Sequence, residues 1–242
     1  MAGTLYIVPT PVGNMADMTP RALDVLRSVS LVLAEDTRTS SVLMRNFAIT
    51  TPMVSHHKFN EHETVVPLVE RILGGEDIAL VSDAGTPGIS DPGFMLSREC
   101  RRRGVTVVTL PGATAFVPAL VDSGLPCDRF FFQGFLPPKK GRATRLQEIA
   151  DSPVTSIIYE SPLRLVKTLQ QLAQVCGDDR EASVSREISK HFETTVRGTL
   201  AEIIETFTVN LPKGEIVIIV ASKPEEKGAH THRNKFRNDA ED

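Results

Sequence analysis

The 242-residue sequence has few cysteines, no large excess of one charge and no long apolar run. Its three cysteines, Cys100, Cys127 and Cys176, form no C-x-x-C pair, which excludes a disulfide scaffold and a cysteine zinc site and favours a reducing compartment. The net charge of −3 excludes a polycation, so a nucleic-acid partner needs a local basic patch. No apolar run reaches the roughly 18 residues of a membrane helix, and the first residues predict a strand instead of a signal peptide. We therefore expect a soluble cytoplasmic protein without a membrane partner.

The motifs of several common enzyme classes are also missing. No G-x-G-x-x-G follows the first predicted strand, no G-x-x-x-x-G-K-[ST] occurs, and no G-x-S-x-G occurs. These absences exclude the dinucleotide fingerprint, the P-loop and the nucleophile elbow. His57 and His62 lie five residues apart, which is the wrong spacing for a pair of ligands on a helix, so we expect no metal site.

What the sequence does contain is an alternation of short apolar runs and amphipathic stretches. In the first half the alternation repeats five times, and the nearly continuous apolar runs predict a parallel sheet with helices on both faces. After Ser123–Pro126 the rhythm changes and predicts a mixed sheet. We predict two α/β domains, over residues 1–122 and 127–222, followed by a polar, disordered tail over residues 223–242.

Polar or Pro/Gly-rich segments follow each predicted strand of the first half. They are Pro9–Asn14, Glu35–Arg38, His56–Asn60, Asp83–Asp91 and Pro111–Thr114. The carboxyl ends of parallel strands share one edge, where open α/β folds bind ligands, so we expect five loops around one cleft. Ser82–Gly93 is the leading ligand loop, because its glycines allow close approach to the backbone and its prolines stiffen it.

Short polar signals predict where several helices begin. Thr19 before Pro20 and Thr199 are expected N-caps. Asn60 with Glu63 predicts a capping box. Asp91, which precedes Pro92, is interpreted as the N-cap of the helix that follows. Ser161-Pro162 is expected to cap a later helix in the same way.

Seven motifs occur in a characteristic order along the chain. They are Leu5–Asn14, Ala34–Arg38, Ser82–Gly93, Pro111–Ala115, Gly134–Pro137, Tyr159–Pro162 and Arg186–Lys190. Together they resemble a family of small-subunit ribosomal RNA methyltransferases in the tetrapyrrole-methylase superfamily (class III methyltransferases), over about residues 3–221. The resemblance implies two α/β domains with S-adenosylmethionine (S-adenosyl-L-methionine) in the cleft between them, and a homodimer. It also implies 2′-O-methylation of a cytidine in the decoding region of 16S rRNA within the small ribosomal subunit.

The resemblance also implies which residues bind the cofactor. They are Asp83, Gly85, Thr86, Ile89, Thr114, Ala115, Glu160 and Ile188. The chain departs from the family pattern at two places. Leu163 stands where the family usually has histidine, and Thr114 replaces a serine but keeps its hydroxyl.

A ribose 2′-hydroxyl is a weak nucleophile, so a base or another proton route is expected. The catalytic candidates are Lys190, Glu187 and Asp36, which lie in the motifs just described. Each has a plainer alternative. Lys190 and Glu187 can form an ion pair, and Asp36 can pair with Arg38.

RNA contact is expected at a basic loop and at two strand ends. The candidates are Lys139, Lys140 and Arg142 in the loop, with Arg38 and His57 at the strand ends. A solvated surface loop is the alternative for the first three. Two other functions stay open: methylation of a tetrapyrrole or other small metabolite on the same fold, and a non-catalytic adenine-ligand sensor or assembly factor.

Overall fold

The computed structural model describes residues 1–224, which form two five-stranded sheets. The strands of the first sheet are β1 (Thr4–Ile7), β2 (Leu31–Ala34), β3 (Met53–Ser55), β4 (Ile78–Val81) and β5 (Thr106–Thr109). All their pairings are parallel, in the order β3-β2-β4-β1-β5. The helices that connect these strands are α1 (Pro20–Ser28), α2 (Thr37–Asn46), α3 (Glu61–Leu73) and α4 (Phe94–Arg102).

Helices cover both faces of this sheet, as the apolar pattern predicts. On one face Leu26 of α1 and Leu43 of α2 pack with Val32 of β2. On the other face Ile72 of α3 and Leu96 of α4 form a second cluster with the alternate strand residues. Strands β2 and β4 are buried along their whole length, which explains their uninterrupted apolar sequences.

The second sheet is mixed. Its strands are β6 (Phe130–Phe135), β7 (Thr155–Glu160), β8 (Glu181–Arg186), β9 (Thr194–Thr199) and β10 (Ile216–Val220), in the order β6-β7-β10-β8-β9. Only the β6–β7 pair is parallel in the described part of this sheet. One face carries α6 (Arg142–Ala150), α7 (Leu165–Cys176) and α8 (Leu200–Val209). The α/β class, with one parallel and one mixed sheet, is therefore confirmed.

Helix α5 (Phe116–Ser123) packs on the other face of the second sheet. Its Leu120 lies in a cluster with Ile157 of β7 and Val217 of β10. The predicted domain boundary after residue 122 would assign this helix to the first unit, although it covers the second sheet. We therefore propose that the second unit begins near residue 115. Of the predicted tail, residues 225–242 lie outside the described residues, and the Lys223 amide donates a hydrogen bond to the Ser152 carbonyl at 2.7 Å.

Some of the predicted helix caps are confirmed and others are wrong. The Thr19 hydroxyl accepts from the Ala22 amide, and Thr199 forms a capping box with Glu202. The predicted Asn60 box is wrong, because the Asn60 carboxamide instead accepts from the His57 amide at 2.7 Å and closes the turn before α3. The predicted Ser161-Pro162 cap is also wrong, since α7 begins only at Leu165.

Asp91 does not cap α4. The residue at the N-cap position is Gly93, and the buried Glu61 carboxylate accepts the amides of Gly93 and Met95, each at 3.2 Å. A side chain thirty-two residues upstream thus satisfies the helix start, and the Asp91 carboxyl is left for another environment.

Two properties of residues 1–224 concern membrane-spanning helices and groups of metal-ligating side chains. Their helices are too short or too polar for any of them to span a bilayer. Within the same range, histidine, cysteine and carboxylate side chains form no group of three or more that could hold a metal ion.

Candidate active site

A cavity of about 400 Å³ lies between the carboxyl edge of the first sheet and one end of the second. This volume is in the range of small-molecule sites. Four of the five predicted loops reach it, through residues that include Val12, Glu35, Gly85 and Thr114. The fifth loop, after the edge strand β3, does not line it. The expectation of five loops around one cleft is corrected to four.

All eight predicted cofactor residues border this cavity. They are Asp83, Gly85, Thr86, Ile89, Thr114, Ala115, Glu160 and Ile188. Six come from the first half of the chain and two from the second, so the fold brings together residues more than 100 positions apart. Their role as cofactor contacts stays a prediction.

Hydrogen bonds tie three of the loops into one wall. Thr10 and Gly85 exchange backbone bonds of 2.9 and 3.0 Å as an isolated antiparallel bridge. Gly85 has φ of 81°, a conformation that favours glycine. The Thr86 hydroxyl donates to the Ala113 carbonyl at 3.0 Å and lies 2.8 Å from the Thr114 hydroxyl. Thr114 thus makes this contact through its hydroxyl, the group that it has in common with the serine usually found at this position in the family.

Three carboxylates line the first sheet's side of the cavity. Burial raises the pKa of Asp91 to about 7, with further contributions from Glu35 and Asp83. Burial followed by the charge of Asp83 also raises the pKa of Glu35, and burial raises the pKa of Asp83 itself. Mutual repulsion of this kind makes the corner favourable for a cationic ligand group.

Asp36 is engaged with Arg38 and does not line the cavity. Its carboxylate accepts the Arg38 amide at 2.8 Å and two guanidinium bonds at 3.0 and 2.7 Å. The guanidinium beside it lowers the pKa of Asp36 to about 2. Asp36 is therefore paired with Arg38, which was the plainer alternative to a catalytic role. A carboxylate with so low a pKa is a weak proton acceptor at neutral pH.

Lys190 forms a bridge between two carboxylates. Its Nζ lies 3.0 Å from Glu187 Oε1 and 3.2 Å from Glu215 Oε2. Burial acts to lower the pKa of Lys190, but the hydrogen bonds and charges of the two glutamates outweigh it and raise the pKa. Lys190 is thus an ammonium at neutral pH, which donates hydrogen bonds and accepts no proton.

The segment around Lys190 is conformationally strained. Glu187 and Ser189 have φ of 55° and 62°, and between them Ile188 faces the cavity. Such left-handed residues persist where the surroundings hold them, often at ligand sites. The Lys190 stem also lies so close to Gly13 that a Cβ at Gly13 would come within 2.4 Å of Lys190 Cγ. This contact joins the two halves of the chain beside the cavity.

Glu160 is a buried carboxylate whose oxygens already have partners. Oε1 accepts from the Ser161 amide at 2.8 Å and lies 3.1 Å from Arg164 Nε, while Oε2 accepts from the Thr168 hydroxyl at 2.7 Å. The side chain is therefore a structural link between β7 and α7, and because it also lines the cavity it stays a proposed cofactor neighbour.

The position of Arg142 argues against its predicted role as an RNA contact in the basic loop. Its guanidinium is buried and donates to the Thr168 hydroxyl, the Gln171 carboxamide and the Pro137 carbonyl. A side chain held in this way is not free to contact phosphate. Lys139 and Lys140, in contrast, are exposed.

The other two predicted RNA contacts lie at strand ends of the first sheet. Arg38 is exposed, although its guanidinium is paired with Asp36. His57 is half-buried, and its Nδ1 accepts from the amides of Phe59 and Asn60, each at 3.2 Å. Both follow the β2 and β3 ends, on the β3 side of the cavity.

Several cavity residues were not predicted as site residues. They include Val12, Asp91, Tyr159 and Glu215. Asp91 and Tyr159 lie within the quoted motifs, but an Asp-Pro pair before a helix is equally typical of a cap, so no local signal separates the two roles. Leu163, which replaces the family's usual histidine, is 97% exposed and does not line the cavity.

The chain is similar to known proteins of one family. The chain matches the family model described as Tetrapyrrole (Corrin/Porphyrin) Methylases over residues 4–204. It is 46% identical to Ribosomal RNA small subunit methyltransferase I of Synechocystis sp., with 96% of this chain and 84% of that protein covered. It is 50% identical to the protein of the same name from Vibrio cholerae, with 90% and 77% covered.

The fold is also shared with a solved structure. The crystal structure of uroporphyrin-III C-methyl transferase from Thermus thermophilus, complexed with S-adenyl homocysteine, superposes with a TM-score of 0.62 at 20% identity. The match covers 90% of this chain and 97% of that one. The chain therefore belongs to the tetrapyrrole methylase family and, within it, to the group of proteins named Ribosomal RNA small subunit methyltransferase I.

Proposed function

We propose that the chain is an S-adenosylmethionine-dependent rRNA methyltransferase, and that its acceptor is the 2′-hydroxyl of a cytidine in the decoding region of 16S rRNA. The observation that carries the proposal is the convergence of all eight expected cofactor residues on one cavity. The relatives' shared name supports rRNA as the substrate, and the ligand of the Thermus structure supports the cofactor. The cytidine 2′-position rests on the resemblance of the motifs.

The residues at the cavity fit S-adenosylmethionine. Gly85, whose φ of 81° favours glycine, brings its backbone to the cavity wall without a side chain that would project there. Val12, Ile89 and Ile188 supply apolar wall, and Glu35 and Asp83 supply negative charge for the cofactor's cationic groups. When bound, the cofactor supplies an electrophilic methyl carbon.

The chain's own residues place the reactants. Methyl transfer needs the hydroxyl oxygen, the methyl carbon and the sulfur in line, and placement alone supplies much of the acceleration. The tied loops of the first sheet form one wall and the strained 187–189 segment forms the other. Lys190, held by Glu187, is proposed to donate a hydrogen bond to the RNA, and Asp36 is proposed to orient Arg38.

RNA binding is proposed at local positive charge, since the chain as a whole carries −3. Lys139 and Lys140 are exposed on the loop between β6 and α6, and Arg38 is exposed at the end of β2. Phosphate contacts of this kind position an RNA without reading its sequence. We further propose that the enzyme acts in the cytoplasm, on rRNA within the small ribosomal subunit, as a homodimer.

Cofactor binding is tested with two matched glycine variants. Gly85 and Gly104 have nearly equal φ values, 81° and 75°, so valine strains the backbone similarly at both. Gly85→Val also fills the cavity wall, whereas Gly104 lies in the turn after α4 and does not line the cavity. Calorimetry with S-adenosylhomocysteine is expected to show binding to wild type and Gly104→Val, and none to Gly85→Val. Equal binding by both variants would contradict this cofactor site.

The reaction is tested by transfer of a tritiated methyl group to small ribosomal subunits that lack the modification. Label on a cytidine ribose is the expected result. Label on a porphyrinoid but not on rRNA would favour the small-metabolite alternative. Binding of the cofactor product without transfer to either acceptor would favour the non-catalytic sensor or assembly factor.

A further inference from the structure

The turn that precedes α4 presents Asp91 to the cavity. Glu61 caps the helix from outside, so the Asp91 carboxyl takes no part in the helix start. The residue lines the cavity together with Gly85 and Ile89 of the same loop. The sequence around Asp91 predicted a helix cap. Its position at the cavity, between the edge of the first sheet and the second sheet, is visible only in the folded chain.

This turn is closed by a backbone hydrogen bond and contacts the second half of the chain. The Gly88 amide donates to the Pro92 carbonyl at 3.1 Å, and Ser90 has φ of 68°, which is uncommon for a residue other than glycine. Ser90 packs against Gly134 of β6, where a Cβ would lie 3.1 Å from the Ser90 hydroxyl oxygen. Strain of this kind is often found where a side chain must be placed for function.

The groups that face Asp91 come from both sheets. Glu35 and Asp83 approach from the first sheet, Glu215 and Tyr159 approach from the second, and the Ser82 hydroxyl lies beside the carboxyl. Within residues 1–224 no lysine, arginine or histidine forms a salt bridge with Asp91. The carboxyl is thus surrounded by negative and neutral groups, and burial with these charges raises its pKa to about 7.

Several other charged groups at or beside the cavity are already engaged. Asp36 is bonded to Arg38, the Glu160 oxygens have three partners, and Lys190 is a protonated bridge. A general base works best when its pKa lies near the working pH and its carboxylate is not neutralised by a cation. Asp91 meets both conditions.

We propose that Asp91 accepts the proton of the attacking hydroxyl, an inference that rests on the proposed function. The hydroxyl oxygen forms a bond to the methyl carbon while the carbon–sulfur bond breaks, and that bond's electron pair stays on sulfur. The hydroxyl proton passes to a carboxylate oxygen of Asp91, which later releases it to solvent. Atoms and charge balance without a further reactant.

The test is Asp91→Asn, which keeps the shape of the side chain and removes the base. Single-turnover methyl transfer to small ribosomal subunits is measured across pH, and S-adenosylhomocysteine affinity is measured by calorimetry. We expect a fall in rate of about 100-fold or more with little change in affinity, and Asp91→Glu is expected to recover part of the rate. The wild-type rate should rise with pH and level off above about pH 7, and the Asn variant should lack this rise. Asp24→Asn, on the exposed surface of α1, is the control that keeps the wild-type rate.

Three results would overturn the inference. They are an Asn variant within about threefold of the wild-type rate, an Asn variant with the wild-type pH profile, and a loss of S-adenosylhomocysteine binding that accounts for the lost rate. If wild type itself binds no S-adenosylhomocysteine and transfers no methyl group, the proposed function fails first, and the variant is not needed to show it.

Discussion

At the scale of single residues, the environment decides what a carboxylate does. Asp36 and Asp91 both follow strands of the first sheet, yet the pKa of Asp36 is lowered to about 2 by Arg38 and that of Asp91 is raised to about 7, chiefly by burial. Glu160 is different again, because two hydrogen bonds and an ion pair hold its buried carboxylate. Carboxylate side chains therefore supply an ion-pair partner, a titrating group and a structural link in and beside one site.

The raised pKa of Asp91 has a consequence for stability that requires no substrate. Its folded pKa of about 7 lies above the ordinary value of 3.8, so the folded state holds the proton more tightly than the unfolded state. The cost of the ionised carboxyl is absent below about pH 4, grows as the pH rises, and is complete above about pH 7. We expect Asp91→Asn to melt several degrees above wild type at about pH 8, since each kcal/mol shifts a chain of this size by about 2–4 °C.

Calorimetric melting of both proteins at about pH 4 and about pH 8 checks this prediction. The difference between variant and wild type should shrink towards the acid end. A difference that is the same at both pH values would show that the Asp91 carboxyl has no raised pKa in the folded protein.

At the scale of elements, α4 depends on a residue of α3. The Glu61 carboxylate accepts the first amides of α4 and lies in the core between the two helices. Glu61→Ala leaves these amides without an acceptor, and we expect a loss of about 1–2 kcal/mol in the free energy of unfolding. Urea unfolding measures it. Glu63→Ala, an exposed residue in the same first turn of α3, is expected to cost less, and an equal cost for both would contradict the cap.

The loop between β6 and α6 combines two roles that neighbouring variants can separate. Lys140 is exposed, so Lys140→Ala should leave stability unchanged and reduce the slope of RNA affinity against salt by about 1. Arg142 is buried near Glu160, so Arg142→Ala should lower the free energy of unfolding by about 3 kcal/mol. Filter binding at several salt concentrations and urea unfolding measure the two effects. A stable Arg142→Ala protein with a reduced salt slope would restore Arg142 to the RNA surface.

At the scale of the whole molecule, an apolar surface next to α5 is where we expect the proposed dimer to form. It consists of Val117 and Val121 on α5 itself and of Phe130 of β6, which packs against Phe116 of α5; all three are more than 40% exposed. Val121→Glu places a charge on this surface and is expected to halve the mass seen by light scattering. Val209→Glu, at the end of α8, is the control that should stay dimeric. A dimer that survives Val121→Glu would show that the subunits meet elsewhere.

The sequence by itself determined the α/β class and the two kinds of sheet, and it predicted eight residues that border one cavity. The spacing of apolar residues indicates whether one face or both faces of an element are buried, and it can be read from the element's own residues. The uninterrupted apolar runs of β2 and β4, which are buried along their whole length, illustrate this. The ordered motifs carried the expected cofactor residues, and all of them border one cavity.

Only the tertiary structure decided how the polar groups divide their roles. Glu61, and not Asp91, accepts the first amides of α4. Arg142 is buried and donates a hydrogen bond to Thr168 of α7. The pattern of apolar residues along the sequence likewise did not indicate that α5 packs on the second sheet. The reason is that charge pairing, burial and pKa depend on atoms supplied by distant segments, whereas helix and strand patterns depend on neighbours along the chain.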